Sequence, residues 1–98
     1  MIKIKNLISY IKKEYNFSNK ALEIAKKNLT KNKIKINKAK EFLEMAQTYL
    51  DDSLYFLKNK DYIRAIAAIY YAHAWLDAGA RLEFWKIEGK NKKYFSID

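Results

Sequence analysis

The sequence predicts an all-α protein, an antiparallel up-and-down bundle of three long helices. Three stretches carry apolar residues in alternating steps of three and four, the spacing of helices that pack along a narrow seam. The 98 residues include no proline and only two glycines, so few positions oppose long helices. A chain of this length fits one domain with a modest core. We expect a bundle domain at residues 1–88 and a C-terminal tail at residues 89–98.

The first helix is expected to run from Ile4 to Leu29. Its apolar seam keeps one heptad register: Ile4, Ile8, Ile11, Tyr15, Ser18, Leu22, Ala25 and Leu29. Ser18 is the only polar residue of this seam, and the sequence around it, YNFSN, has low helix propensity. Two alternatives follow, a single continuous helix or a break that Ser18 caps. The polar segment TKNKIK at residues 30–35 is the expected first loop.

The second helix is expected from about Ile36 to Lys58. Its seam is Ile36, Ala39, Leu43, Ala46, Leu50, Ser53 and Leu57. A turn at residues 59–61 leads directly into the third helix, with Asp61 as the N-cap. Because this turn is short, the second and third helices are predicted to be antiparallel neighbours.

The third helix is predicted from Asp61 to Ile87 and is apolar on almost every side. Between Ala65 and Ala80 its only formally charged residue is Asp77. Two of its three apolar rows can pack on the first and second helices. The remaining row contains both tryptophans and is predicted to form an interface: Tyr71, Trp75, Leu82 and Trp85.

An exposed aromatic row on a small monomer is typical of a self-association surface. We therefore expect a homodimer in which two copies cover this row from each other. The alternative is that the tail folds back and covers the row with Tyr94 and Phe95. An unidentified protein partner would use the same surface.

The formal net charge is +9, and the N-terminal part of the chain supplies it, since residues 1–40 hold 12 lysines and 2 glutamates. Lysines recur at two adjacent heptad positions and form a ridge: Lys5, Lys12, Lys13, Lys20, Lys26, Lys27 and Lys33. Such a ridge can follow a phosphate backbone, although no nucleic-acid-binding motif accompanies it. A nucleic-acid-binding accessory protein is therefore the second functional hypothesis. A solvated outer helix face is the simpler interpretation.

His73 and Asp77 are four residues apart and therefore share one helix face. A histidine oriented by a carboxylate is half of a general-base pair. Arg64 and Asp52 fall near the other end of the same helical hairpin, but no serine or cysteine nucleophile pairs with His73 by sequence. We expect a polar pin instead, either a buried His73–Asp77 hydrogen bond or a bond from Asp77 to a tyrosine hydroxyl. No enzymatic activity is expected.

Composition excludes or disfavours other classes of site. Without cysteine there is no disulfide scaffold, thiol catalysis or cysteine-ligated zinc. The single histidine lacks metal-ligand spacing, so no metal is expected. With two glycines the chain has no phosphate-binding loop or dinucleotide fingerprint, and we expect no cofactor. No signal peptide or membrane span is expected, and a cytoplasmic location is the default.

Several short stretches of the hairpin form one pattern: YLDDSLYF at residues 49–56, Lys60-Asp61, Ala65, Tyr71-Ala72 and LDAGARL at residues 76–82. This pattern resembles an archaeal family catalogued as domain of unknown function 357. The resemblance implies an up-and-down three-helix bundle with no assigned activity, and family-pattern positions at Asp52 and Asp77. The chain departs from the family at Lys60 and Glu83, where the family tends to have glycine.

A second likeness is local. The sequence RAIAAIYYAHAWLDA at residues 64–78 resembles the AYYA-type helix of HEPN proteins, which include RNases. Their catalytic motif is an arginine followed after four to six residues by a histidine. Arg64 and His73 have eight residues between them, so this motif fails. An HEPN-like nuclease or toxin–antitoxin component is the minor alternative to a non-enzymatic interaction or scaffold module that self-associates.

Overall fold

The computed structural model describes residues 3–97 as a bundle of three long helices followed by a short one. They are α1 (Ile4–Lys27), α2 (Ile36–Lys58), α3 (Tyr62–Arg81) and a 3₁₀ helix (Gly89–Tyr94). Side-chain contacts of α3 follow the residue order of α1 and reverse the order of α2. The chain therefore runs up, down and up, and the predicted three-helix bundle is confirmed.

α1 is continuous through Ser18, which decides between the two alternatives that the sequence leaves open. Ser18 is 3% exposed, and its hydroxyl lies 2.8 Å from Nδ1 of His73 on α3. A buried hydroxyl that has a partner no longer competes for the helix backbone. The helix ends at Lys27, and the side-chain amide of the C-cap residue Asn28 donates to the carbonyl of Ile24 at 2.8 Å.

α2 has the predicted bounds, and local hydrogen bonds explain the turns before and after it. Before α2, Oδ1 of Asn32 accepts from two backbone N–H groups that follow it, at 2.8 and 3.1 Å. After α2, Asp61 caps α3 by accepting from the backbone N–H of Arg64 at 3.2 Å. Between the two helices Lys60 adopts a φ of 60°.

α3 ends at Arg81, so the predicted continuation to Ile87 is wrong. The chain reverses at Glu83, which has a φ of 60°. The N–H of Phe84 then donates to the carbonyl of Gly79 at 2.8 Å. The N–H of Glu83 donates to the carbonyl of the residue three positions before it at 3.1 Å. These two bonds form a Schellman motif, which ends a helix through one left-handed residue. The apolar residues after the turn are therefore returning chain and not helix.

The returning chain lays Trp85 across the end of the bundle. The indole ring lies so close to Gly79 that a Cβ atom at that position would overlap it. The indole Nε1 donates to the carbonyl of Leu76 at 3.0 Å, and Trp85 is 1% exposed. An isolated antiparallel bridge also joins it to Leu29 after α1. Trp85 thus belongs to the core, together with large buried residues from all three helices: Ile11, Leu22, Leu50, Ile69 and Leu76.

Lys60 and Glu83 share one backbone property. Among the described non-glycine residues, only these two have a positive φ. This conformation costs free energy in residues that have a Cβ atom, whereas glycine adopts it readily. They are also the two positions at which the resemblance described above implies glycine in the family pattern. A positive φ at both positions would account for such a glycine preference.

Substituting Gly79→Ala should lower the free energy of unfolding by up to about 2 kcal/mol. Helix propensity alone favours alanine by about 1 kcal/mol, but the added methyl must displace a buried indole, and overpacking costs about 1–3 kcal/mol. Urea denaturation measures the change. In a Trp85→Leu background the same substitution should become stabilising, because the obstructing ring is gone. A stabilising effect in the wild-type background would contradict the contact between Trp85 and Gly79.

Substituting Lys60→Gly should raise the free energy of unfolding by a few tenths to about 1 kcal/mol. It removes a left-handed lysine that costs about 1–2 kcal/mol, while glycine costs about 0.5–1 kcal/mol in chain entropy. Lys58→Gly is the matched control, because it removes the same charge from a helical position, and it should be destabilising. Equal effects of the two substitutions in thermal unfolding would contradict the turn geometry.

Candidate functional site

A polar seam lies where α1 meets α3. We call it the α1–α3 seam, and its hydrogen-bonded side chains are Tyr10, Glu14, Ser18, Tyr70, His73 and Asp77. An open groove of about 360 Å³ runs along this seam. Every member comes from the face that α1 or α3 turns towards the other helix, so the bundle itself brings them together.

His73 has a hydrogen-bond partner at both ring nitrogens. Its Nδ1 lies 2.8 Å from Oγ of Ser18, and its Nε2 lies 2.8 Å from the carbonyl oxygen of Tyr94 in the tail. Because a carbonyl oxygen only accepts, Nε2 carries the proton, and in the neutral ring Nδ1 accepts from the serine hydroxyl. His73 therefore links α1, α3 and the tail.

The side-chain carboxylate of Asp77 binds the backbone of the tail. Its Oδ1 accepts from the N–H of Ser96 at 3.0 Å and lies 3.5 Å from Nε2 of His73. Nε of Arg81 donates to the carbonyl of the same Ser96 at 3.1 Å. The carboxylate that the sequence places on the packing seam thus has the tail backbone as its main partner, where the sequence suggested a tyrosine hydroxyl or His73.

Two tyrosines and one glutamate occupy the other end of the α1–α3 seam. The hydroxyls of Tyr10 and Tyr70 are hydrogen-bonded to each other. Both also approach Oε1 of Glu14, Tyr70 at 3.1 Å and Tyr10 at 3.5 Å. The hydrogen bond to Tyr10 raises the pKa of Tyr70 above its ordinary value, and burial and Glu14 raise it further. These bonds fasten the first half of α1 to α3.

On another side of α3, an apolar groove follows the junction with α2. We call it the outer groove, and its main lining residues are Phe42, Tyr49, Phe56, Ala67, Tyr71 and Trp75. It comprises two adjoining depressions of about 420 and 250 Å³ that share Tyr71. Edge-to-face ring pairs build it, with centroids 4.4 Å apart for Tyr49 and Tyr71 and 4.8 Å apart for Phe42 and Trp75.

The residues of the predicted interface row differ in how far they are exposed. Tyr71 and Leu82 are 49% and 50% exposed, and Trp75 is half-buried with no hydrogen-bond partner for its Nε1 among the described residues. Trp85 cannot belong to an exposed row, because the Schellman turn buries it against Gly79. That part of the interface prediction is wrong.

The tail does not cover the outer groove. Tyr94 packs against Phe17 of α1 with ring centroids 5.0 Å apart, and Phe95 lies 6.3 Å from His73. The tail therefore folds back as one alternative proposed, but it docks on the α1–α3 side.

Arg64 and Asp52 lie in the outer groove, away from His73 and Asp77. Both line its wider depression, and the guanidinium of Arg64 lies 3.4 Å from the carboxylate of its neighbour Asp61. The helical hairpin therefore does not gather the four predicted polar residues into one site. Since Arg64 and His73 occupy different grooves, the geometry gives no support to an HEPN-type catalytic pair.

The lysine ridge of α1 is exposed as predicted, with two changes. Lys33 lies in the loop beyond the end of α1, so the helical ridge stops at Lys27. Nζ of Lys26 donates to Oε1 of Gln47 on α2 at 2.9 Å. One edge of the ridge thus faces α2, while the other faces the tail.

Within residues 3–97, no cluster of three or more histidine, cysteine, aspartate or glutamate side chains is arranged to hold a metal ion. Nor does any helix in that range have the length and apolarity needed to cross a membrane.

A family model described as a protein of unknown function, DUF357, matches residues 15–85. The chain belongs to the DUF357 family. No curated protein and no solved structure matches it significantly. The DUF357 match covers α2, α3, the outer groove and the Ser18–His73 bond, and it ends at Trp85. The 3₁₀ helix and the contacts of Ser96 lie beyond it.

Sequence reasoning missed the pairing of Ser18 with His73. Ser18 is the single polar residue in the α1 seam, and His73 is the only histidine of the chain. Two isolated polar residues on facing apolar seams need partners. That requirement would have paired them, had the parallel register of α1 and α3 been known.

Substituting Asp77→Ala should release the tail from α3. Trypsin should then cleave faster after Lys90, Lys92 and Lys93, because the backbone bond at Ser96 is lost. Asp77→Asn should restore much of the protection, since its amide oxygen still accepts. Glu23→Ala, which removes an exposed carboxylate from α1, is the control. Unchanged tail cleavage in Asp77→Ala would show that this carboxylate does not hold the tail.

Proposed function

We propose that this DUF357 protein is a binding module that pairs with a second copy of itself through the outer groove. The observation that carries the proposal is the set of aromatic rings that stays partly exposed there after the tail has docked elsewhere. Half-exposed Tyr71 and half-buried Trp75 stand beside Phe42 and Tyr49 along one continuous junction. Exposed apolar patches of this kind mark interaction sites.

The shape of the groove favours a helical partner. Along α3 its rim is formed by small side chains, Ala67, Ala74 and Ala78, which let another helix approach closely. From Phe42 to Phe56 the groove is about 21 Å long at 1.5 Å per residue. Another α2–α3 hairpin laid across it would complete a four-helix arrangement, a common packing for two-helix units.

The charges of the outer groove favour a second copy of the chain over an unrelated partner. The wider depression carries one acid and one base, Asp52 and Arg64. A two-fold axis near this depression would bring Arg64 of each copy next to Asp52 of the other, as an isologous contact requires. Arg64 is largely exposed beside Asp61, so it can change partner at little cost.

The hydrogen bonds of His73 also favour a binding function over catalysis. Its two nitrogens are used by Ser18 and by the carbonyl of Tyr94, and Ser18 is buried. A general base needs a nitrogen within reach of a substrate proton. We therefore propose that the α1–α3 seam is a structural fastening and that the protein is not an enzyme.

Sedimentation equilibrium tests the proposed pairing. The wild-type chain should sediment at twice its mass of 11.7 kDa at micromolar concentration. Ala67→Glu places a charge at an exposed position of the outer groove and should give a monomer with an unchanged helical circular dichroism spectrum. Ser9→Glu adds the same charge at an exposed position of α1 and should leave the dimer intact.

A wild-type monomer throughout the concentration range would refute self-association. So would a dimer that Ala67→Glu and Ser9→Glu leave equally stable, since the contact would then lie on another face.

A further inference from the structure

The tail adds a second group of lysines beside the lysine ridge of α1. Lys13 and Lys20 stand four residues before and three residues after Phe17, so all three neighbour one another on the helix surface. Phe17 packs on Tyr94, the last residue of the 3₁₀ helix. The 3₁₀ helix contacts α1 and carries three exposed lysines of its own, Lys90, Lys92 and Lys93.

An aromatic platform lies between these two sets of lysines. The ring of Phe17 is 40% exposed although it stacks on His73, with centroids 5.6 Å apart. Tyr94 flanks it at 5.0 Å, and Nζ of Lys93 lies 5.2 Å from the centroid of the Tyr94 ring. We call Lys13, Phe17, Lys20, Lys27 and the three lysines of the 3₁₀ helix the basic surface. The sequence showed the ridge but not the aromatic residue within it, because the tail had no predicted position.

The basic surface leads into a groove of about 730 Å³ at the end of the bundle. Its lining includes Lys27, Lys31 and Lys86, the apolar side chains of Trp85 and Ile87, and the carboxylate of Glu83, which is paired with Lys35 at 3.6 Å. Lysine side chains around a partly apolar recess suit a ligand that carries both negative charge and flat apolar rings.

Most carboxylates near the basic surface already have a hydrogen-bond or ion-pair partner. Glu14 accepts from Tyr70, Asp77 accepts from the N–H of Ser96, and Glu88 lies 3.8 Å from Nζ of Lys86. Glu23 stands between Lys20 and Lys27 on the outer edge and offsets one charge. The surface therefore keeps a clear excess of positive charge.

We infer that the basic surface binds single-stranded nucleic acid, with lysines on the phosphates and an unpaired base stacked on Phe17. A basic track that contains an exposed aromatic ring is the usual construction of single-strand binding surfaces. A duplex offers the same phosphates but keeps its bases stacked, so it gains nothing from Phe17. The site lies on the α1–tail side and does not depend on pairing through the outer groove.

Fluorescence anisotropy with a labelled single-stranded oligonucleotide of about 15 nucleotides tests the inference. Affinity should fall steeply between about 50 and 200 mM salt. Lys13→Glu/Lys20→Glu should weaken binding about tenfold or more. The matched control is Lys5→Glu/Lys12→Glu, which reverses the same charges on the same helix away from the tail, and it should weaken binding only about threefold or less.

Phe17→Ala should weaken single-strand binding about fivefold or more and leave binding of a duplex of the same sequence unchanged. Phe17→Trp should restore the single-strand affinity, which separates stacking from a loss of tail docking. Ala67→Glu should bind as tightly as wild type, so a failure of the dimer and a failure of this site can be told apart.

Three results would overturn the inference. Equal losses in the two lysine pairs would mean diffuse charge, and equal affinity for the duplex and the single strand would exclude stacking. Binding to vesicles that contain anionic lipid, without binding to the oligonucleotide, would assign the surface to a membrane instead.

Discussion

The contact between Trp85 and Gly79 determines how the second half of this molecule is arranged. Burying a tryptophan removes about 200 Å² from water, worth at most about 5 kcal/mol at 25 cal/mol per Å². The ring can reach its site only because α3 stops at Arg81 and the chain turns at Glu83. That turn sends the tail back along α1 and α3. Had α3 continued, Trp85 would have lain on the surface, and the tail would have left the bundle.

The returning tail completes the bonding of the α1–α3 seam. His73 reaches Ser18 without help from the tail, but its second nitrogen is satisfied by the carbonyl of Tyr94, and Asp77 by the N–H of Ser96. Polar groups on an apolar helix are costly when left without partners. In this chain they help to hold the tail, together with Phe95, which is buried in the core. These hydrogen bonds agree with the structural role proposed for His73 and Asp77.

α3 therefore has two different sides, and each carries one of the two proposals. The side towards α1 is closed by the tail and carries the basic surface at its edge. The side at the junction with α2 keeps the outer groove, where aromatic rings stay partly exposed. The DUF357 match includes the outer groove but stops before the 3₁₀ helix. Pairing through the groove would therefore rest on the part of the chain shared with the family, whereas the tail side of the basic surface lies outside it.

The sequence by itself determined the helices, the bounds of α2 and the Asp61 cap, because apolar periodicity and capping act within a few residues. It also identified Asp77 and Ser18 as polar residues on packing seams. Only the tertiary structure decided that α3 ends at Arg81, because Glu83 in a left-handed conformation has no local signal, unlike glycine. Only the tertiary structure paired Ser18 with His73 and placed Tyr94 on Phe17, since these residues are 55 and 77 positions apart. Contacts over such distances depend on helix register and tail direction, which local pattern does not specify.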